Sequence, residues 1–131
     1  MCRILIVDDY EPVRRSIHAL LGSRKEWCVC GEAADGIQAV EEAKSLRPDL
    51  VIMDVSMPNM NGLDAARIIL REVGESRVLI ISQNDPEIVR RQAVDAHAHG
   101  FLEKSNIPRD LIAVVECILS RDAQTNTEKA S

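Results

Sequence analysis

The chain has 131 residues, enough for one domain with a core of its own. Its apolar share of 46% is that of a globular protein, and a formal charge of −5 argues against direct nucleic-acid binding through a basic surface. No apolar stretch approaches the ~20 residues of a membrane-spanning helix, so no membrane partner is expected. No signal-peptide pattern precedes the first strand, and the expected compartment is the cytoplasm.

The run Ile4-Leu5-Ile6-Val7 predicts a strand over residues 3–7, buried on both faces as parallel strands are. Pro12 suits a first helical position, and Val13, Ile17, Leu20 and Leu21 follow at helical spacing. A second strand is predicted over residues 28–34, ending in the turn signal Asp35-Gly36. The next helix carries Ile37, Val40, Ala43 and Leu46 and stops before Pro48. A third strand covers residues 49–53, a loop 55–62 and a helix 63–73. The fourth strand is predicted over 77–81, and Asp85-Pro86 starts a helix that runs to about Ala98. Residues 100–103 form a short fifth strand, and Leu111, Val114, Val115, Ile118 and Leu119 make the stripe of a fifth helix. The expected domain spans residues 1–121. Residues 122–131 are polar and lack periodicity, as in a disordered tail or a truncated linker.

This alternation implies an α/β fold: a doubly wound, five-stranded parallel sheet in the order 2-1-3-4-5, with five helices on two faces. In such sheets function gathers at the carboxyl ends of the strands, where strand order reverses. Asp8 and Asp9 close the first strand and Asp54 the third, on either side of that point. Converging carboxylates repel unless a cation neutralises them, and an all-oxygen set suits Mg²⁺. Ser82 and Lys104 follow the fourth and fifth strands at the same edge. A hydroxyl and an ammonium facing three acids could hold a phosphoryl group.

These pieces closely resemble the receiver domain of two-component response regulators. The resemblance rests on Ile-Val-Asp8-Asp9, on Met-Asp54-Val-Ser-Met-Pro58-Asn-Met-Asn-Gly62, on Ser82, and on Phe101-Leu-Glu-Lys104, and covers about residues 3–119. Gly31-Glu32-Ala33-Ala34-Asp35-Gly36 and the pair Lys104-Ser105 are similar to receivers attached to LuxR-type helix-turn-helix domains. The resemblance implies that Asp54 accepts a phosphoryl group from a histidine kinase or phosphotransfer protein. It implies that Asp8, Asp9, Asp54 and the backbone carbonyl of Ser56 hold Mg²⁺. Lys104 would pair with the phosphoryl oxygens and Ser82 would hydrogen-bond them. Phe101 matches the switch aromatic on the face of the fourth helix, fifth strand and fifth helix, which would control an output such as transcription. Ser56 and Asn84 match positions that tune phosphoryl lifetime, and Gln83 beside them is expected either to narrow the approach of water or, through its amide, to orient it, with obstruction favoured. Slow self-dephosphorylation is then the only turnover expected. Either the receiver stands alone or DNA is reached through a C-terminal output domain outside this sequence, and homodimerisation stays open.

Blander readings stand beside these. Adjacent aspartates after a strand often only cap the next helix. Cys28 and Cys30, two apart in a strand, share one face and read with Cys2 and Cys117 as small core residues. Arg14-Arg15, Arg24-Lys25 and Arg90-Arg91 read as solvated helix faces, and His18, His97 and His99 as surface residues. Tyr10, Trp27 and Phe101 are the only aromatics, so any exposed one is a candidate for function. Phosphatases of the haloacid dehalogenase type also use an aspartate after a buried strand, but need a second acid where Ser56 stands. A degenerate, binding-only receiver usually lacks an acid or the lysine, and all five site residues are present here.

Overall fold

The computed structural model describes residues 1–130, with side chains described through Ser120. Five parallel strands, β1 (Cys2–Val7), β2 (Trp27–Ala33), β3 (Leu50–Asp54), β4 (Arg77–Ser82) and β5 (Gly100–Glu103), form one sheet in the order β2-β1-β3-β4-β5. Between them run α1 (Glu11–Leu21), α2 (Gly36–Leu46), α3 (Gly62–Glu72) and α4 (Pro86–Asp95). A short 3₁₀ turn, Lys104–Asn106, leads into α5 (Ile107–Ala130). The expected tail at 122–131 lies outside the residues whose side chains are described. No helix among the described residues is long and apolar enough to cross a membrane.

The aliphatic runs are continuous because both faces of the sheet are covered. Leu5, Val7, Val51, Met53, Val78 and Ile80 meet the alanines and Ile69 of α2, α3 and α4. Ile4, Ile6, Leu50, Ile52, Leu79 and Ile81 meet Ile17 and Leu21 of α1 and Leu111, Val115 and Ile118 of α5. Alternate residues of one strand thus feed two cores. Parallel register aligns the strand ends, so Val7 stands beside Met53 and Asp54 beside Ile81. That alignment brings the polar residues closing β1, β3, β4 and β5 to one edge.

Several local expectations change. Pro12 occupies the second position of α1, because Glu11 begins the helix. α4 ends at Asp95 rather than Ala98, since His97 takes a left-handed φ of 61° and turns the chain toward β5. Simple alternation fails at Cys30: Ile4 pairs with Val29 but Leu5 with Gly31, so Cys30 is the extra residue of a bulge. All four cysteines are free. His99 is tied into the sheet rather than solvated, its Nδ1 accepting from the Val78 N–H at 3.0 Å. Arg24, in the loop between α1 and β2, lies over the Trp27 ring and pairs with Glu116, tying that loop to α5.

Candidate functional site

Asp8 follows β1, and its side chain is fully buried. The backbone fixes it, because the Tyr10 N–H donates to Asp8 Oδ1 at 2.8 Å. Asp54 is the last residue of β3 and is 2% exposed. Asp9 points out to solvent, yet one carboxylate oxygen from each of Asp8, Asp9 and Asp54 fits within a 4.8 Å cluster. Lys104 reaches in from the end of β5, with Nζ 2.8 Å from Asp8 Oδ2 and 3.2 Å from Asp54 Oδ1. Asp54 Oδ2 is buried and has no hydrogen-bond partner among the described residues. Asp8 Oδ2 has the ammonium as an ion-pair partner, although no donor is aligned on it as a hydrogen bond.

Burial and the charge of Asp8 push the Asp54 carboxyl up to about 6, against the pull of Lys104. Burial works against the Lys104 ammonium, but the close Asp8 and Asp54 carboxylates outweigh it and hold its pKa above the ordinary lysine value. One ammonium faces three acids, so the site carries an uncompensated negative charge. An unpartnered buried carboxylate oxygen within an all-oxygen cluster fits a hard divalent cation.

A cleft of about 300 Å³ opens over these groups, lined by Asp9, Tyr10, Asp54, Ser56, Ser82, Gln83, Asn84 and Lys104. Every residue expected at the carboxyl edge is therefore in one place, with Asp8 forming the buried floor. Ser82 is 3% exposed, and its Oγ accepts from the Asn84 N–H at 3.1 Å. Gln83 and Asn84 are exposed on the cleft wall. Phe101 lies elsewhere. Its ring is 38% exposed in a groove shared with Val94, Val114 and Cys117 of α4 and α5.

Two supports of the site escape a reading of the sequence. Arg14 is not solvated: its side chain is 18% exposed, its Nη1 donates to the Asp8 carbonyl at 2.5 Å, and its Nε donates to Glu32 Oε1 at 3.0 Å. It pins the end of β1 that carries the acid pair. Arg15, beside it, is solvated and only pairs with Glu11. Gly62 lies so close to the Asp54 carbonyl that a Cβ there would collide with it. Its N–H donates to the Val55 carbonyl at 2.8 Å, closing the base of the β3–α3 loop.

The response regulator receiver domain family matches residues 4–116. The chain belongs to that family. A LuxR-family response regulator from Aurantimonas sp. SI85-9A1 superposes with a TM-score of 0.85 at 33% identity, over 92% of this chain and 86% of that one. Response regulator UvrY of Escherichia coli K12 is 32% identical over 92% of this chain and 55% of its own length. The protein-glutamate methylesterase/protein-glutamine glutaminase of Pyrococcus abyssi is 49% identical over 78% of this chain and 28% of its own length. This receiver therefore spans only part of those curated relatives. Its likeness to LuxR-family regulators agrees with the subfamily expected from Gly31 to Gly36 and the Lys104-Ser105 pair. The methylesterase shows that receivers similar to this one also stand beside an enzymatic domain.

Proposed function

We propose that this chain is a phospho-accepting switch, in which Asp54 takes a phosphoryl group from a histidine kinase or phosphotransfer protein. The observation that carries the reading is the Lys104 ammonium lodged between Asp8 and Asp54, under a cleft toward which Asp54 keeps one unpartnered oxygen. An Asp54 oxygen attacks phosphorus and forms an acyl phosphate. The phosphorus–nitrogen bond of the donor imidazole breaks, and the imidazole nitrogen keeps the electron pair. With its pKa at about 6, Asp54 is mostly ionised at neutral pH and more basic than an ordinary carboxylate, which suits a nucleophile. Lys104 stays charged and pairs with the phosphoryl oxygens, and the Ser82 hydroxyl donates to them after leaving the Asn84 N–H. Asp8, Asp9, Asp54 and the Ser56 carbonyl would hold Mg²⁺, which supplies the charge neutralisation that phosphoryl transfer requires. Intact mass after incubation with acetyl phosphate tests this. A phosphoryl adduct is expected with Mg²⁺ and not with EDTA, and no adduct under either condition overturns the reading.

The phosphoryl group is read out on the face of α4, β5 and α5. Ser82 ends the strand that feeds α4, while Phe101 lies outward in the groove between α4 and α5, on the face that a two-state element would rearrange. Beryllofluoride, a phosphoryl mimic, should change hydrogen-exchange protection in residues 86–103 and 107–120. Changes confined to α1 and α2 would count against this face. Transcription is the favoured output, through a DNA-binding domain C-terminal to this chain.

Ser56 and Asn84 flank the cleft without an acidic side chain, so neither offers attacking water a strong general base. Gln83 stands on the same wall and narrows the water's path. Phosphoryl decay should be faster in Gln83→Ala than in the parent, each tenfold change reflecting about 1.4 kcal/mol of barrier. Slower decay would make Gln83 a helper of hydrolysis instead.

A further inference from the structure

The β3–α3 loop carries the Ser56 carbonyl and has little burial to hold it. Val55 anchors its start in the core, but Ser56, Pro58, Asn59 and Asn61 are exposed, and Met57 and Met60 are only partly buried against the core. Its base is closed by Gly62, as described above. Its tip is fixed by polar contacts with the start of α2. Asn59 Nδ2 donates to Asp35 Oδ2 at 3.0 Å. The other oxygen, Asp35 Oδ1, accepts from the Gln38 N–H at 2.7 Å and so caps α2. Next along the chain, Gly36 lies beneath the Met60 carbonyl, where a Cβ would collide with it. Asn59 itself holds a left-handed φ of 68°, which asparagine tolerates better than most residues. One carboxylate thus joins the rigid start of a helix to the tip of a loop that would otherwise be loose.

We propose that Asp35 and Asn59 form a positioning clamp that holds the β3–α3 loop, and with it the Ser56 carbonyl, ready for a divalent cation. The clamp rests on the metal-assisted phosphoacceptor reading above. Neither residue lines the cleft, so both act through the loop. The bond from the Gln38 N–H, and then the Asn59 amide, hold the Asp35 carboxyl below the usual carboxylate range, so it is a charged acceptor at neutral pH. Removing a group that orients a metal ligand typically weakens metal affinity by about 10- to 100-fold.

Asn59→Gly removes the amide of the clamp while glycine still adopts the same φ, and Asp35→Ser breaks the same bond without adding a glycine to the loop. Mg²⁺ affinity is measured by calorimetry, together with melting in EDTA and acetyl-phosphate labelling across a Mg²⁺ series. The expected result is about tenfold weaker Mg²⁺ binding, with labelling restored at high Mg²⁺ and little change of melting in EDTA. Asp35→Ser keeps a helix-capping hydroxyl but removes the oxygen that Asn59 uses, and should give the same loss. The double variant should bind Mg²⁺ no more weakly than either single one, as partners in one interaction do. Unchanged Mg²⁺ affinity in Asn59→Gly, or losses that add in the double variant, would overturn the clamp. A purely structural role would lower melting in EDTA and leave Mg²⁺ affinity alone. A parent that binds no Mg²⁺ ends the metal-assisted reading and the clamp with it, whereas a parent and variant that bind equally end only the clamp.

Discussion

Asp54→Asn should abolish the phosphoryl adduct and, in the absence of Mg²⁺, make the protein more stable at neutral pH. The first effect follows from chemistry, because an amide is no nucleophile toward phosphorus, and of the two buried acids beside Lys104 only Asp54 lines the cleft. The second follows from charge. In the folded parent the Asp54 carboxyl titrates at about 6, because burial and Asp8 disfavour its charged form. In the unfolded chain it titrates near the ordinary value of 3.8. The folded state therefore binds the extra proton between these values. By linkage, parent stability falls as pH rises from roughly 4 to 6 and carries the full penalty above that. About two pKa units correspond to a penalty on the order of 3 kcal/mol. Asparagine removes it and leaves Asp8 and Lys104 as a matched pair. Urea melts in EDTA should show the variant's advantage growing from pH 4 to pH 7. Saturating Mg²⁺ should narrow the gap by stabilising the parent more. An adduct of undiminished yield in the variant would remove Asp54 from its role, and a pH-independent difference would mean that Asp54 is not strained by its neighbours.

Most of this site was legible because parallel strands announce themselves. A strand buried on both faces is apolar throughout, so the first polar residue that closes it marks the carboxyl edge, and three such marks named Asp8, Asp54 and Ser82. β5 is a short, half-exposed edge strand that itself ends in Glu103, and Lys104 was legible from its place just after it. Register then does the rest, since parallel pairing places those ends side by side. What supports the site was harder to see. Arg14 and Arg15 are indistinguishable in sequence, yet the helix turns one toward the Asp8 carbonyl and Glu32 and the other into water. Asp35 reads as a turn residue, and nothing local reveals that Asn59, 24 positions on, donates to it. The bulge at Cys30 and the early end of α4 at His97 are likewise set by pairing and chain direction, not by composition.

Lys104→Met tests the other half of the site. Methionine keeps much of the length and the apolar stem but removes the ammonium that lies 2.8 Å from Asp8 and 3.2 Å from Asp54. Both carboxylates are buried, so the change strands two acids with no counter-charge. Breaking a buried pair from one side typically costs about 3–5 kcal/mol, a large part of the ~5–15 kcal/mol that holds a domain folded. The loss should depend on pH. The Lys104 pKa is raised in the fold, so its contribution is complete below the ordinary lysine value and fades only as pH climbs through the folded value. Throughout the acid and neutral range the parent therefore keeps this contribution, and the difference between the proteins is governed by the carboxylates. Without the ammonium, the Asp54 carboxyl should titrate above its present value of about 6. Taking up that proton relieves the repulsion, so the variant should recover most of its deficit below pH 5 and lose most above pH 7. Mg²⁺ should restore part of the stability at neutral pH without restoring the phosphorylation rate, because the ammonium that meets the phosphoryl oxygens is gone. Urea melts in EDTA at pH 5 and pH 8 separate the outcomes. A variant as stable as the parent at pH 8 would show that Lys104 is an ordinary solvated lysine whose contacts with the two acids carry no weight.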